Sequence, residues 1–111
     1  MSSPAVSRAI PVTQLAFGEA SMGAAYVLVG TFIVPLEIVI ITSTLDAAVQ
    51  VSFDGIHDHI PMGIGSTVPS QVTLNFKANR TNFAPVSVFV KNIGTPGAGS
   101  LFVSAFTAVI P

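Results

Sequence analysis

Residues 24–41 read AAYVLVGTFIVPLEIVII. A run this long and apolar is enough to cross a bilayer as a single helix. Whether it is one helix or two strands determines what kind of protein this is. Three residues interrupt it: Gly30 and Pro35 break a helix, and Glu37 would place a carboxylate at bilayer depth at a cost of about 2.5 kcal/mol or more. Val and Ile dominate the remainder, and their branched side chains suit a pleated strand while stiffening against a helix. The stretch therefore predicts two strands joined near Pro35, and no membrane partner is expected.

The same vocabulary continues on both sides. Nine glycines and eight prolines cut the chain into short pieces, at the spacing of a sandwich or small barrel. Strands are expected at 12–17, 25–32, 36–42, 48–53, 57–61, 71–76, 86–92 and 100–108. Val49, Val51 and Phe53 alternate with Ala48, Gln50 and Ser52, giving one apolar and one mostly polar face. Val72, Leu74 and Phe76 repeat the pattern. The last strand differs, because Leu101, Val103 and Ala105 point one way while Phe102 and Phe106 point the other, so both of its faces need cover. Only GEASMGAA, residues 18–25, has room for a helical turn. The fold class is all-β, with about eight short antiparallel strands in a sandwich, and a jelly roll is the first choice among its architectures. Residues 1–11 lack a pattern and are read as an extended arm, followed by a single domain over 12–111. Residues 94–99, GTPGAG, are read as a hairpin end, and 79–85 as a polar loop carrying Phe83.

Composition narrows the function. At 111 residues the chain is expected to form one domain that buries roughly two thirds of its unfolded surface. It has no cysteine, so neither disulfides nor thiolate chemistry are open to it. Hydrophobic residues make up 50% and charged residues only 8%, against roughly 25% charged in an ordinary soluble domain. With net charge −1 and scattered Arg8, Lys77, Arg80 and Lys91, there is no positive stripe for nucleic acid. The N-terminal MSSPAVSRAIPVTQ lacks the basic region and apolar run of a signal peptide, which predicts a chain made in the cytoplasm. So little charge on a soluble fold is explained by outer faces that other chains cover, and a homo-oligomer is expected.

Both histidines lie in residues 52–61, SFDGIHDHIP. If the chain is extended after Gly55, His57 and His59 project to one side, a workable separation for two metal ligands. A zinc site needs at least one more ligand, and only Asp54 or Glu19 is a candidate for recruitment. The simpler reading is a turn, in which Asp54 accepts from nearby backbone N–H groups, Gly55 takes a positive φ, and Asp58 and the imidazoles are solvated or bonded within the turn. No nucleophile elbow, phosphate-cradling loop or dinucleotide fingerprint occurs, and no pair of carboxylates is set for acid–base work, so no enzyme activity and no cofactor are expected. A glycan-binding module is the rival of another class, but the chain has no tryptophan and one tyrosine. That tyrosine, Tyr26, is expected to have its ring in the core and its hydroxyl on a partner, which leaves Phe83 as the one aromatic ring in a polar loop. Phe83, Arg80 and Arg8 are the candidates for contact with a partner.

The run from Ala25 to Gly55, then Asp58-His59, then GIGS at 63–66, LNFKAN at 74–79, VFVKN at 88–92 and GSLFVSAF at 99–106 resembles a group of small structural proteins of tailed-bacteriophage virions. The resemblance spans roughly residues 24–107, and its motifs are strand patterns and turns. It implies a non-enzymatic β-sandwich, made in the host cytoplasm and resident in the virion. Such a protein decorates or cements the capsid on the major capsid protein, or sits at the neck, collar or tail. Asp54, Gly55, Asp58 and His59 match the turn of that group, which implies a structural role for them.

Overall fold

The computed structural model describes residues 8–11, 14–33, 36, 38–75 and 86–109, with side chains for those between 14 and 106. Among them are nine strands: β1 (Arg8–Pro11), β2 (Leu15–Gly18), β3 (Val27–Phe32), β4 (Ile38–Ser43), β5 (Val49–Ser52), β6 (Ile60–Met62), β7 (Ser70–Asn75), β8 (Val86–Asn92) and β9 (Ser100–Val109). The run 24–41 is thus two strands. No helix among the described residues is long and apolar enough to cross a membrane.

The strands form two sheets. One has the order β1-β9-β4-β7, with β2 also paired to β9; the other has the order β3-β8-β5-β6. β1 faces Phe106–Val109 and β2 faces Ser100–Val103, so the two short strands follow one another along a single edge of β9. All pairings are antiparallel, and they nest. The hairpin β5·β6 lies inside β4·β7, which lies inside β3·β8, which lies inside the pairing of β1 and β2 with β9. Successive pairs fall in alternate sheets, and β4·β9 and β5·β8 complete each sheet. A long ribbon rolled in this way is a jelly roll.

Burial follows the alternation of each strand. Val39, Ile41, Val49, Val51, Val88, Val90, Leu101 and Val103 are fully buried between the sheets. Leu15 and Phe17 from β2, and Val72 and Leu74 from β7, close the sides of this core. One departure concerns β5, whose Gln50 and Ser52 were expected to face water; both are buried. The cover of Ser52 is the chain that follows it.

At one end of the sandwich three links between the sheets meet at the β4–β5 corner. Gly65 N–H donates to Leu45 O at 2.8 Å, Thr44 N–H donates to Ser100 O at 2.9 Å, and Asp46 Oδ1 accepts from Gly97 N–H at 2.7 Å. The chains approach so closely that a Cβ on Gly99, which has φ +100°, would lie 2.3 Å from Thr44 O. GTPGAG is therefore a crossing from β8 to β9, in different sheets, and not a hairpin end.

Two further expectations are corrected. Residues 8–11, read as the end of an arm, form β1 at the sheet edge. The expected strand at 57–61 starts only at Ile60, because residues 53–57 bend. GEASMGAA supplies a single 3-10 turn, Glu19–Ser21.

Candidate functional site

The bend after β5 folds back over the outward face of its own sheet, and Ser52 and Asp54 shape it. The Ser52 hydroxyl donates to Asp54 Oδ1 at 2.8 Å and accepts from the N–H groups of Asp54 and Gly55 at 3.2 and 3.0 Å. Asp54 Oδ1 also accepts from Ile56 and His57 N–H, both at 2.8 Å, while Oδ2 stands 2.7 Å from His57 Nδ1. The N–H groups of Asp54, Gly55, Ile56 and His57 thus each find a side-chain oxygen within a few residues, as in an Asx turn. Gly55 has φ +74°, and a Cβ there would meet the Phe89 ring at 3.2 Å, so the backbone lies directly on an outward-facing ring of β8. The His57 ring first, then the His57 and Ile56 N–H groups, hold the Asp54 carboxyl well below the usual carboxylate range.

A second cluster pins the far side of the bend. Asp58 accepts from the Tyr26 hydroxyl, and its Oδ1 lies 3.2 Å from Lys91 Nζ. Lys91 in turn sits 4.7 Å from the centre of the Tyr26 ring, within cation–π range. The Tyr26 hydroxyl thus has the partner expected of it, but its ring is not part of the core, as its apolar neighbours suggested. It stands half-buried at the start of β3, and its partner is 32 positions away. Asp58 is likewise neither merely solvated nor bonded inside the turn. The Tyr26 hydroxyl first, then Lys91, lower the Asp58 pKa. Desolvation first, then the Asp58 carboxylate, push Tyr26 up to about 12.

The two histidines lie in and just after the bend, not on one face of a strand as expected, with ring centres 6.4 Å apart. His59 Nδ1 accepts the Phe53 N–H at 3.0 Å. In its neutral form that ring must carry its proton on Nε2, which leaves no lone pair for a metal. His57 Nδ1 is engaged by Asp54. No three His, Cys, Asp or Glu side chains among the described residues are placed to hold an ion together. Asp54, Gly55, Asp58 and His59 are thus brought together as a turn that covers Ser52 and Phe89. Arg8 lies in β1 opposite Val109, and its side chain is outside the described set, as are Arg80 and Phe83 entirely.

The two outward faces of the sandwich differ. The face of the β3-β8-β5-β6 sheet carries Lys91, Tyr26 and the bend with Asp54 and Asp58. The other sheet presents Ala16 from β2, Phe102, Ser104 and Phe106 from β9, Ile38, Ile40 and Thr42 from β4, and Gln71, Thr73 and Asn75 from β7. Register places them side by side: Phe106 opposite Ile38, Ser104 opposite Ile40, and Phe102 between Thr42 and Ala16. None of these is charged. The two phenylalanines were legible as the second apolar side of the last strand. Ile38 and Ile40 were not, since nothing in the sequence says which sheet a strand joins.

Comparison of the chain with protein-family models, with curated proteins and with solved structures finds no match.

Proposed function

We propose that this protein is a structural component of a tailed-bacteriophage virion, a decoration or cement protein that associates with its own copies and docks on the major capsid protein. The uncharged outward face of the β2-β9-β4-β7 region is the observation that carries this reading. A free monomer gains nothing from a charge-free sheet surface, whereas a subunit packed among neighbours avoids burying unpaired charge there. The resemblance in residues 24–107 to small virion proteins supplies the setting. On this reading the turn at Asp54–His59 is structural, and the protein works by covering surface in many copies. Each contact need be only modest, because a repeating lattice multiplies it.

Mass-spectrometric stoichiometry of purified particles tests the reading. A copy number commensurate with the capsid lattice is expected. A few copies per particle would move the protein to the neck, collar or tail, and absence from the particle would overturn the proposal.

A further inference from the structure

We infer that Asp54-Gly55 is a site of covalent isomerisation that the folded bend holds shut, so that isoaspartate forms at residue 54 only when the bend opens. Isomerisation here depends on neither the virion role nor self-association.

Asp54 is followed by a residue with no Cβ, so nothing on Gly55 hinders its backbone nitrogen from reaching the Asp54 side chain. In that reaction the Gly55 nitrogen bonds to Asp54 Cγ, the Cγ–O bond breaks, and one water leaves carrying the amide hydrogen. Water then reopens the five-membered imide at one of its two carbonyls. Opening at Cγ restores aspartate, whereas opening at the main-chain carbonyl leaves Gly55 attached through Cγ. The isoaspartyl product has the same mass, an extra methylene in the main chain, and its carboxylate directly on Cα. No oxidant, metal or second substrate takes part. Asp46 and Asp58 are followed by Ala47 and His59, whose side chains crowd the same approach.

The bend opposes each requirement of this reaction. Gly55 N–H donates to Ser52 Oγ at 3.0 Å, and the same hydroxyl donates to Asp54 Oδ1 at 2.8 Å, so Ser52 fixes both reacting groups. The carboxyl must take up a proton before it can lose an oxygen as water. Oδ1 instead accepts from Ile56 and His57 N–H, and Oδ2 stands 2.7 Å from His57 Nδ1, contacts that favour the ionised form. Gly55 itself has φ +74° and lies against the Phe89 ring, which closes one side to movement of its backbone.

This lock is local. Ile56 is 76% exposed and the His57 side chain 74%, so the tip of the bend buries little apolar surface and can open while the sandwich stays folded. Isomerisation makes the opening permanent. A carboxylate moved back to Cα is one methylene shorter and no longer spans to the Ile56 and His57 N–H groups, and the lengthened main chain no longer fits over Phe89.

Incubation of the purified full chain in warm buffer, with and without urea, tests the lock. An endoproteinase that cuts before aspartate separates 46–53 from 54–57 in the normal chain and leaves 46–57 joined where residue 54 is isoaspartyl. The joined fragment is expected to accumulate at least about tenfold faster in urea, because a locally protected group reacts in proportion to the time it spends open. Ser52→Ala and His57→Ala each remove part of the lock without altering the dipeptide. Both are expected to keep the β circular-dichroism spectrum, to isomerise several-fold faster than wild type in buffer, and to match it in urea. Equal wild-type rates with and without urea overturn the inference, and that comparison needs neither variant to fold. So does His57→Ala, whose side chain is exposed, if it folds and isomerises no faster than wild type in buffer.

Discussion

At Gly65 the absence of one methyl group decides whether the sandwich can close. A Cβ there would lie 1.9 Å from Ser43 O and 2.9 Å from Ser70 N, both backbone atoms of paired strands, while at Gly63 nothing lies within 4 Å. Gly65→Ala is expected to cost about 2–4 kcal/mol, and Gly63→Ala to stay within about 0.5 kcal/mol of wild type. Urea unfolding of the pair checks this, and equal midpoints would refute the close approach. Asp54 makes a different prediction. Its carboxyl binds a proton less readily when folded than when unfolded, so its contribution is present above the ordinary carboxylate pKa of about 4 and is lost as pH falls below it. The stability gap between wild type and Asp54→Asn should therefore be open at neutral pH and narrow below pH about 4; a gap unchanged by acid would show that the carboxylate is not what holds the turn. Tyr26, the one tyrosine, gives a direct optical readout. It should ionise near pH 12 in the folded chain, and Asp58→Asn should bring it only part of the way back, because desolvation, the largest single cause, stays. A full return would show that burial contributes nothing. Of these contacts the Asp54-Gly55 turn was legible, since donor and acceptor lie within three residues. The Tyr26–Asp58–Lys91 cluster was not, because its members meet only after β3, β8 and the bend are in place.

Strands were read from alternation, and alternation reports faces better than ends. In β4, Val39, Ile41 and Ser43 are buried while Ile38, Ile40 and Thr42 are half-buried, the period-two pattern of a sheet with one side in the core. Two neighbouring isoleucines should thus behave oppositely. Ile41→Ala leaves a cavity in the core and is expected to cost about 2–5 kcal/mol. Ile40→Ala should cost about 1 kcal/mol or less and act on assembly instead. Thermal unfolding of both at low protein concentration, where association does not contribute, separates them. Comparable losses would mean that the two sides of β4 are equally covered within one chain. Where alternation misled, another part of the chain had intervened. Ser52 read as solvent-facing, yet the bend that follows β5 returns to cover it. The strand expected at 57 was delayed to Ile60 because Asp54 captures the Ile56 and His57 N–H groups before a neighbouring strand can. Residues 8–11 carry too few positions to show a period, and it is β9, a partner at the far end of the chain, that makes them a strand.

Across the whole molecule, charge is distributed by sheet. Among the described side chains, Lys91, Asp54 and Asp58 attend one outward face, Glu19 and Asp46 lie in links between the sheets, and the other outward face has none. Paucity of charge was plain in the composition, but its segregation depends on the nesting that sends β4 and β9 to the same sheet, which no spacing encodes. The segregation makes a prediction about salt. Where an interface is held by ion pairs, salt screens them over about 8–10 Å at 0.1–0.15 M and association weakens as salt rises. An interface made of Phe102, Phe106, Ile38 and Ile40 against their equivalents has nothing to screen, and salts excluded from apolar surface favour its burial. The dissociation constant of the wild-type oligomer, measured by sedimentation from low to high sodium chloride, should therefore hold steady or fall, and sulfate should lower it further. If instead the oligomer dissociates as salt rises, the contact lies on the charged face, with Asp54, Asp58 and Lys91 as the groups being screened, and the uncharged sheet is not where the copies meet.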